Sequence, residues 1–401
     1  MNRTQSLILG AEVFTPEQHI RDAAVLVESG RIQWVGSRMD ASMWPDGKLI
    51  EAEGLLLVPG FIELQINGAF GMDFSAEPEC IFSVAKDLPR FGVTRFLPTI
   101  VTSPPETIAR AQAVLKTGAP PGFRGARPIG LHIEGPFLNP DRKGAHNPEY
   151  LKSPNETLYA GFSPENGVRL VTLAPELAGV KEVITELHRS RVIVSAGHSL
   201  ATLEQAQAGF QVGIRYATHL FNAMSPLHQF DPGLPGAVLA EPNWRFGLIA
   251  DGIHVHPTLV DLVWRLSGPG RMTLVSDAMA ALGMPPGKYW LGDLEVIVDE
   301  TSARLSNGQL AGSILPQPTA LQNLMRYTHC SFAEALSCFT STPADLLGLG
   351  REIGQIAPGF QADFVLMTPD YKVVQTYVDG ELVFEASKNG SASARQNETA
   401  S

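Results

Sequence analysis

Between residues 61 and 277 the chain repeats one pattern, a short apolar run of strand length followed by helical spacing. The runs fall at 61–65, 94–100, 130–134, 169–173, 192–196, 214–219, 247–250 and 272–277. Helical patterns occupy most of the gaps, at 77–91, 106–116, 180–190, 203–210 and 257–266. A parallel neighbour can be reached only by a long crossover. Crossover helices cover both faces of a sheet, so its strands read as continuous apolar runs. Eight such units predict an α/β fold, a closed (β/α)8 TIM barrel. An open doubly wound sheet is the competing arrangement, but no early strand runs into Gly-x-Gly-x-x-Gly.

The flanks of the repeat read differently. Short strands at 7–9, 24–27 and 32–35 carry a hairpin turn at Ser29-Gly30, and strands at 362–367, 373–378 and 382–384 carry one at Asp379-Gly380. Neither block has enough strands to stand alone. The two ends are therefore expected to meet as one small β-sandwich domain, 1–58 with 355–386. The barrel, 59–354, is entered through a turn at Val58-Pro59-Gly60. Inside it, 283–311 reads as a β insertion, with strands at 289–291, 294–298 and 303–305 and a turn at Asn307-Gly308. Helices at 318–328 and 332–340 complete the eighth unit. An insertion at the C-terminal face of a barrel sits over its active site, and Pro285-Pro286-Gly287 would mark a mobile lid. The Ser/Ala/Asn-rich tail, 387–401, is expected to be disordered.

Chemistry in a barrel sits where the strands end, so the strand-end residues carry the functional signal. They are Gln65 and Asn67, Glu134, His198, His219, His254 and Asp277. Ionisable groups at five such ends are hard to explain as structure alone, because buried unpaired charge is costly. Glu134, His198 and His219 form a ligand set for a zinc-type ion with one position left open for water. Asp277 is then free to carry a proton, and His254 and His146 to contact substrate. A second ion would want His-x-His after the first strand, where Gln65-Ile66-Asn67 stands, so one divalent ion is expected. Zinc is the first choice; iron, cobalt and manganese accept the same ligands. The formal net charge of −11 argues against nucleic acid. Three cysteines without a Cys-x-x-Cys pair fit a reducing cytoplasm. No apolar run is long enough for a signal core or a membrane span.

Taken together, several runs resemble a known family. They are Pro59-Gly60-Phe61-Ile62-Glu63-Leu64-Gln65-Ile66-Asn67-Gly68, His132-Ile133-Glu134-Gly135-Pro136-Phe137, Lys143-Gly144-Ala145-His146-Asn147-Pro148, Gly197-His198-Ser199, Thr218-His219-Leu220-Phe221-Asn222-Ala223-Met224, Asp251-Gly252-Ile253-His254 and Ser276-Asp277-Ala278. In this order the set is similar to the N-acetylglucosamine-6-phosphate deacetylases of the amidohydrolase superfamily, from the N-terminal β segment to about Glu385. The resemblance implies metal binding by Glu134, His198 and His219, with Asp277 as general base and acid. It implies that His146 contacts the acetyl carbonyl and that Asn222, Ala223 and His254 hold the sugar phosphate, with Gln65 and Asn67 beside them. It also implies a homodimer whose partner subunit contributes to the phosphate site. One position departs from the family. Phe230, in His228-Gln229-Phe230-Asp231-Pro232-Gly233, stands where the family has a phosphate-binding arginine. A phenyl ring cannot make that charge-assisted contact, so His228 is a substitute cation or the 6-phosphate matters less. The expected reaction is removal of the acetyl group from N-acetylglucosamine 6-phosphate. The alternatives are an unphosphorylated amino sugar or another N-acyl or cyclic amide, and a sugar-phosphate-binding protein without catalysis.

Overall fold

The computed structural model describes residues 5–15, 19–40 and 47–387. The tail from 388 onward lies outside the described residues. The N-terminal side contributes strands Gln5–Phe14, His19–Glu28, Arg31–Ser37, Lys48–Glu51 and Leu56–Pro59 to a small sheet. The C-terminal side contributes Phe364–Met367, Val373–Val378 and Glu381–Glu385. All eight join one continuous sheet, and the antiparallel pairing of Leu56–Pro59 with Phe364–Met367 is the seam between the two ends. Both hairpin turns form as read. Ser29 and Gly30 sit at φ 52° and 77°, Asp379 and Gly380 at 52° and 78°, the left-handed pair a two-residue hairpin needs. Ile8, Val25, Ile32, Leu57 and Phe364 are among the residues of this sheet's own core.

Val58-Pro59-Gly60 is not a turn. Val58 and Pro59 belong to a strand, and Gly60 is the single residue between that strand and the barrel. A Cβ on Gly60 would lie 2.2 Å from the Thr94 hydroxyl, so only glycine lets the chain pass there.

The barrel strands are Phe61–Ile66, Val93–Val101, Leu131–Glu134, Val168–Leu173, Ile193–Ala196, Ile214–Ala217, Arg245–Leu248 and Met272–Leu274. Each pairs parallel with the next in sequence. The ring closes just past the eighth strand. Asp277 N–H donates to the Gln65 carbonyl at 2.9 Å, and Asn67 N–H to the Ala278 carbonyl at 2.7 Å. The sixth and eighth strands therefore stop before His219 and Asp277, which lie in the loops beyond them.

Three helical expectations change. The stretch 77–91 is three short pieces, Pro78–Cys80, Ile81–Asp87 and Leu88–Phe91, since prolines 78 and 89 supply no N–H to one continuous helix. The stretch 332–340 is a helix at Phe332–Ser337 followed by a separate one at Ser341–Leu346. Gly233–Ala240 is an additional helix after the sixth strand. The insertion forms the antiparallel strands Gly287–Leu291, Leu294–Val298 and Ala303–Arg304. Leu291, Val296 and Val298 pack with Val101 and Met279, which anchors the insertion to the barrel mouth.

Candidate active site

Side chains alternate across a strand, so His132 and Glu134 share the face turned into the barrel. His132 is fully buried between Thr99 and Thr172, and burial holds its pKa down at about 4. Glu134 ends the strand one layer higher, and Gly135 follows at φ 90°. A Cβ on Gly135 would meet the Thr102 hydroxyl at 2.2 Å. His198, His219 and Asp277 also adopt left-handed backbone, at φ 50°, 31° and 49°. Non-glycine residues hold that conformation only where the surroundings enforce it.

The Glu134 Oε1, His198 Nε2 and His219 Nε2 atoms form a triangle with edges of 3.1 Å. The His198 Nδ1–H donates to the Arg142 carbonyl at 2.9 Å, which leaves Nε2 as a bare lone pair facing the other two atoms. Two imidazole nitrogens and a carboxylate oxygen at this spacing match neighbouring ligands of an ion with bonds of about 2.0–2.2 Å. All three residues are buried. The donor set thus fits a divalent cation.

Asp277 lies beside this triangle. Its Oδ1 accepts from Asn67 Nδ2 at 2.8 Å and from Gln65 Nε2 at 3.2 Å. Gln65 Nε2 also reaches Glu134 Oε1 at 3.2 Å, so one amide spaces the two carboxylates. Burial, and then the nearby Glu134 charge, raise the Asp277 pKa. Beneath them Glu63 is fully buried and accepts from Gln65 N–H, Ser276 N–H and Gln317 Nε2.

His146 Nδ1 accepts from Thr102 N–H at 3.2 Å and lies 2.8 Å from the Thr102 hydroxyl. A backbone N–H can only donate, so Nδ1 carries no proton and the ring hydrogen sits on Nε2. Burial pushes the His146 pKa down to about 3, which keeps the ring neutral. His254 Nδ1 lies 2.6 Å from Asp251 Oδ2, and Asp251 is held by the backbone N–H groups of Ile253 and His254. A cavity of about 340 Å³ is lined by Glu134, His198, His219, Asp277, His146, His254, Asn67, Asn222 and Ala223.

The Amidohydrolase family profile matches residues 56–383. The chain belongs to the amidohydrolase family. This amidohydrolase is 41% identical over 353 residues to the N-acetylglucosamine-6-phosphate deacetylase of Rattus norvegicus, covering 84% of this chain and 85% of that one. Its fold superposes on the crystal structure of N-acetylglucosamine-6-phosphate deacetylase from Pasteurella multocida with a TM-score of 0.88 at 29% identity, covering 94% of this chain and 99% of that one. A mutant of the Mycobacterium smegmatis enzyme in complex with N-acetyl-D-glucosamine-6-phosphate superposes at 0.86 and 29% identity, covering 95% and 99%.

Two expected site residues of the amidohydrolase stand apart. Gln65 does not line the cavity; it braces Glu134 and Asp277 from behind. His228 is exposed and away from the cavity, on the same loop as Phe230, which is 86% exposed. Other lining residues carried no signal in sequence, among them Arg142 and, from the insertion, Leu291, Gln309 and Leu310. Thr102 and Asp251 fix the two outer histidines. Asp251 was within reach of sequence reading, three residues before His254 in one loop.

Proposed function

We propose that this metal-dependent amidohydrolase removes the acetyl group from N-acetylglucosamine 6-phosphate, releasing glucosamine 6-phosphate and acetate. The observation that carries the reading is the meeting of the Glu134–His198–His219 triangle, the Asp277 carboxylate and the protonated Nε2 of His146 in one cavity. The relatives named above supply the substrate. Glu134, His198 and His219 would hold the ion, zinc being the first choice. When bound, it lowers the pKa of water and polarises the acetyl carbonyl. Asp277 takes the proton of the attacking water on its uncommitted oxygen. Gln65 and Asn67 hold its other oxygen and so fix its direction. His146 Nε2–H donates to the oxygen on which negative charge develops, and its neutral, preset tautomer needs no rearrangement. Asp277 then returns the proton to the departing amine, which leaves poorly without it. His254, with Nδ1–H given to Asp251, offers a bare Nε2 to a sugar hydroxyl. Asn222 and Ala223 flank the same space. A homodimer and a reducing cytoplasm complete the reading; among the described residues Cys80, Cys330 and Cys338 are free thiols, and no helix is long and apolar enough to cross a membrane.

A second reading, deacetylation of an unphosphorylated amino sugar, is favoured by one observation: an uncharged side chain, Phe230, stands at the position where the family has a phosphate-binding arginine. Acetate release from phosphorylated and unphosphorylated N-acetylglucosamine, with metal-replete and metal-stripped enzyme, decides between them. Turnover of the phosphorylated sugar that disappears on stripping supports the proposal. Equal or better turnover of the unphosphorylated sugar replaces it with the second reading.

A further inference from the structure

An acyl carbon attacked beside the Glu134–His198–His219 cluster carries an oxygen, a nitrogen and an alkyl group. The oxygen goes to His146 and the nitrogen to Asp277 and the sugar. The alkyl group is left to find apolar surface. The cavity offers such surface next to His146. Val101 precedes Thr102, which fixes the His146 ring, and Ala145 precedes His146 itself. Both pack with Leu291 of the insertion in one apolar patch, and all three line the cavity.

The same three side chains also line a second cavity of about 260 Å³, whose other walls include Ser75, Ser103, Tyr150 and Gly292. Val101, Ala145 and Leu291 are therefore a partition between two spaces. Both sides of it are held in place. Val101 N–H donates to Ser75 Oγ at 2.9 Å. Leu291 ends its strand at a hairpin tip, where Asn147 Nδ2 donates to Asp293 Oδ2 at 2.6 Å. A close-packed wall of this kind does not yield to an extra methylene without cost.

We infer that Leu291, with Val101 and Ala145, sets the acyl length: the partition accepts a methyl group and rejects longer chains. The space behind it is a latent pocket for an unbranched acyl tail of a few carbons. This rests on the deacetylase reading. The chemistry is unchanged: the C–N bond breaks, the water oxygen goes to the acyl carbon and a water proton to the amine.

The test compares wild type, Leu291→Ala and Val101→Ala, all metal-replete, on the N-acetyl and N-butyryl derivatives of glucosamine 6-phosphate and of glucosamine. The wild type should strongly prefer acetyl. In Leu291→Ala the ratio of kcat/KM for butyryl over acetyl should rise on the order of 10- to 100-fold, the worth of burying two methylenes. Val101→Ala, on the barrel side of the partition, should move the ratio the same way. Leu291→Ala combined with Ser103→Leu, which refills the second cavity, should lose the gain. An unchanged ratio in Leu291→Ala, or in Val101→Ala should the first not fold, overturns the inference. So does a gain that survives Ser103→Leu, which would make Leu291 only an anchor of the insertion, or a wild type that takes both acyl groups equally. If the wild type hydrolyses none of the four sugars, the deacetylase reading fails instead. Calorimetric binding of the same sugars to wild type and Leu291→Ala then decides the partition: tighter binding of the butyryl sugars alone upholds it, and no change overturns it.

Discussion

Asp277 commits one carboxylate oxygen to two amides and keeps the other for chemistry. Asp277→Asn retains the shape but cannot take a proton, so turnover should fall by about 10²- to 10⁴-fold while metal content is unchanged; steady-state rates and metal analysis check both halves. Glu63 shows the opposite use of a buried carboxylate. The backbone N–H groups of Gln65 and Ser276 and the Gln317 amide all donate to it, which suits the ionised, acceptor-only carboxylate present above about pH 7. Glu63→Gln turns an amide donor against those donors and should cost about 1–3 kcal/mol in urea unfolding at pH 7.5. Burial, outweighing those donated bonds, raises the Glu63 pKa from 4.5 to about 7. Between those values the folded chain keeps a proton that the unfolded chain has released. This group's contribution to stability is therefore full at acid pH and declines as pH rises through the window, by about 3 kcal/mol in all. Unfolding measured at pH 5 and pH 7.5 should show that decline in the wild type and not in Glu63→Gln. Residues of this kind were only partly legible. Glu134, His198, His219 and Asp277 announced themselves as ionisable groups at strand ends. The left-handed backbone that turns His198, His219 and Asp277 inward leaves no trace in their identity, since glycine is the usual marker of that conformation.

At the scale of elements, the parallel strands were the easiest to read, because burial on both faces makes them uniformly apolar. Gly233–Ala240 was invisible for the converse reason: two glycines and a proline in eight residues mark a loop, yet this helix needs them. A Cβ on Gly236 would meet Pro232 at 2.2 Å, and one on Gly233 would meet Ser225 at 2.2 Å. The strands Lys48–Glu51 and Leu56–Pro59 were missed, the first because charged residues flank only two apolar ones and the second because Val58-Pro59-Gly60 reads as a turn. What ties the small sheet to the barrel is an ion-pair cluster. Arg95, on the second barrel strand, reaches Asp363 at 2.6 Å and Asp379 at 2.5 Å, and Arg127 reaches Asp379 at 3.1 Å. Arg95 and Asp363 are 12% and 3% exposed, so removing one partner leaves a buried charge uncompensated. Arg95→Met should cost about 3–5 kcal/mol, read as a lowered midpoint in thermal or urea unfolding. Arg110→Met, which breaks an exposed pair with Glu79, should leave the midpoint nearly unchanged in the same assay.

For the whole molecule, the three proposed ligands come from the end of the third barrel strand and from the loops after the fifth and sixth, so an ion held by them ties three barrel units together in the folded chain alone. Binding to the native state only stabilises it by mass action. Chelation should abolish acetate release and lower Tm by a few degrees, and adding the ion back should restore both; a Tm indifferent to chelator would count against the Glu134–His198–His219 site. The same loops explain why the overall architecture was readable while the cavity was not. Fold follows from a pattern repeated eight times, whereas the cavity borrows single residues from Arg142, Leu291 and Leu310, on segments whose path no repeat dictates. The closure of the ring adds a constraint on change. The main chain of Asp277 fastens the last strand to the first while its side chain works in the cavity, so the two duties share one residue but not the same atoms. Point substitutions there leave the clasp intact. Adding or deleting one residue between Ser276 and Ala278 would slip the clasp by a position and spring the cylinder open, so natural length variation should be confined to the far side of Ser313.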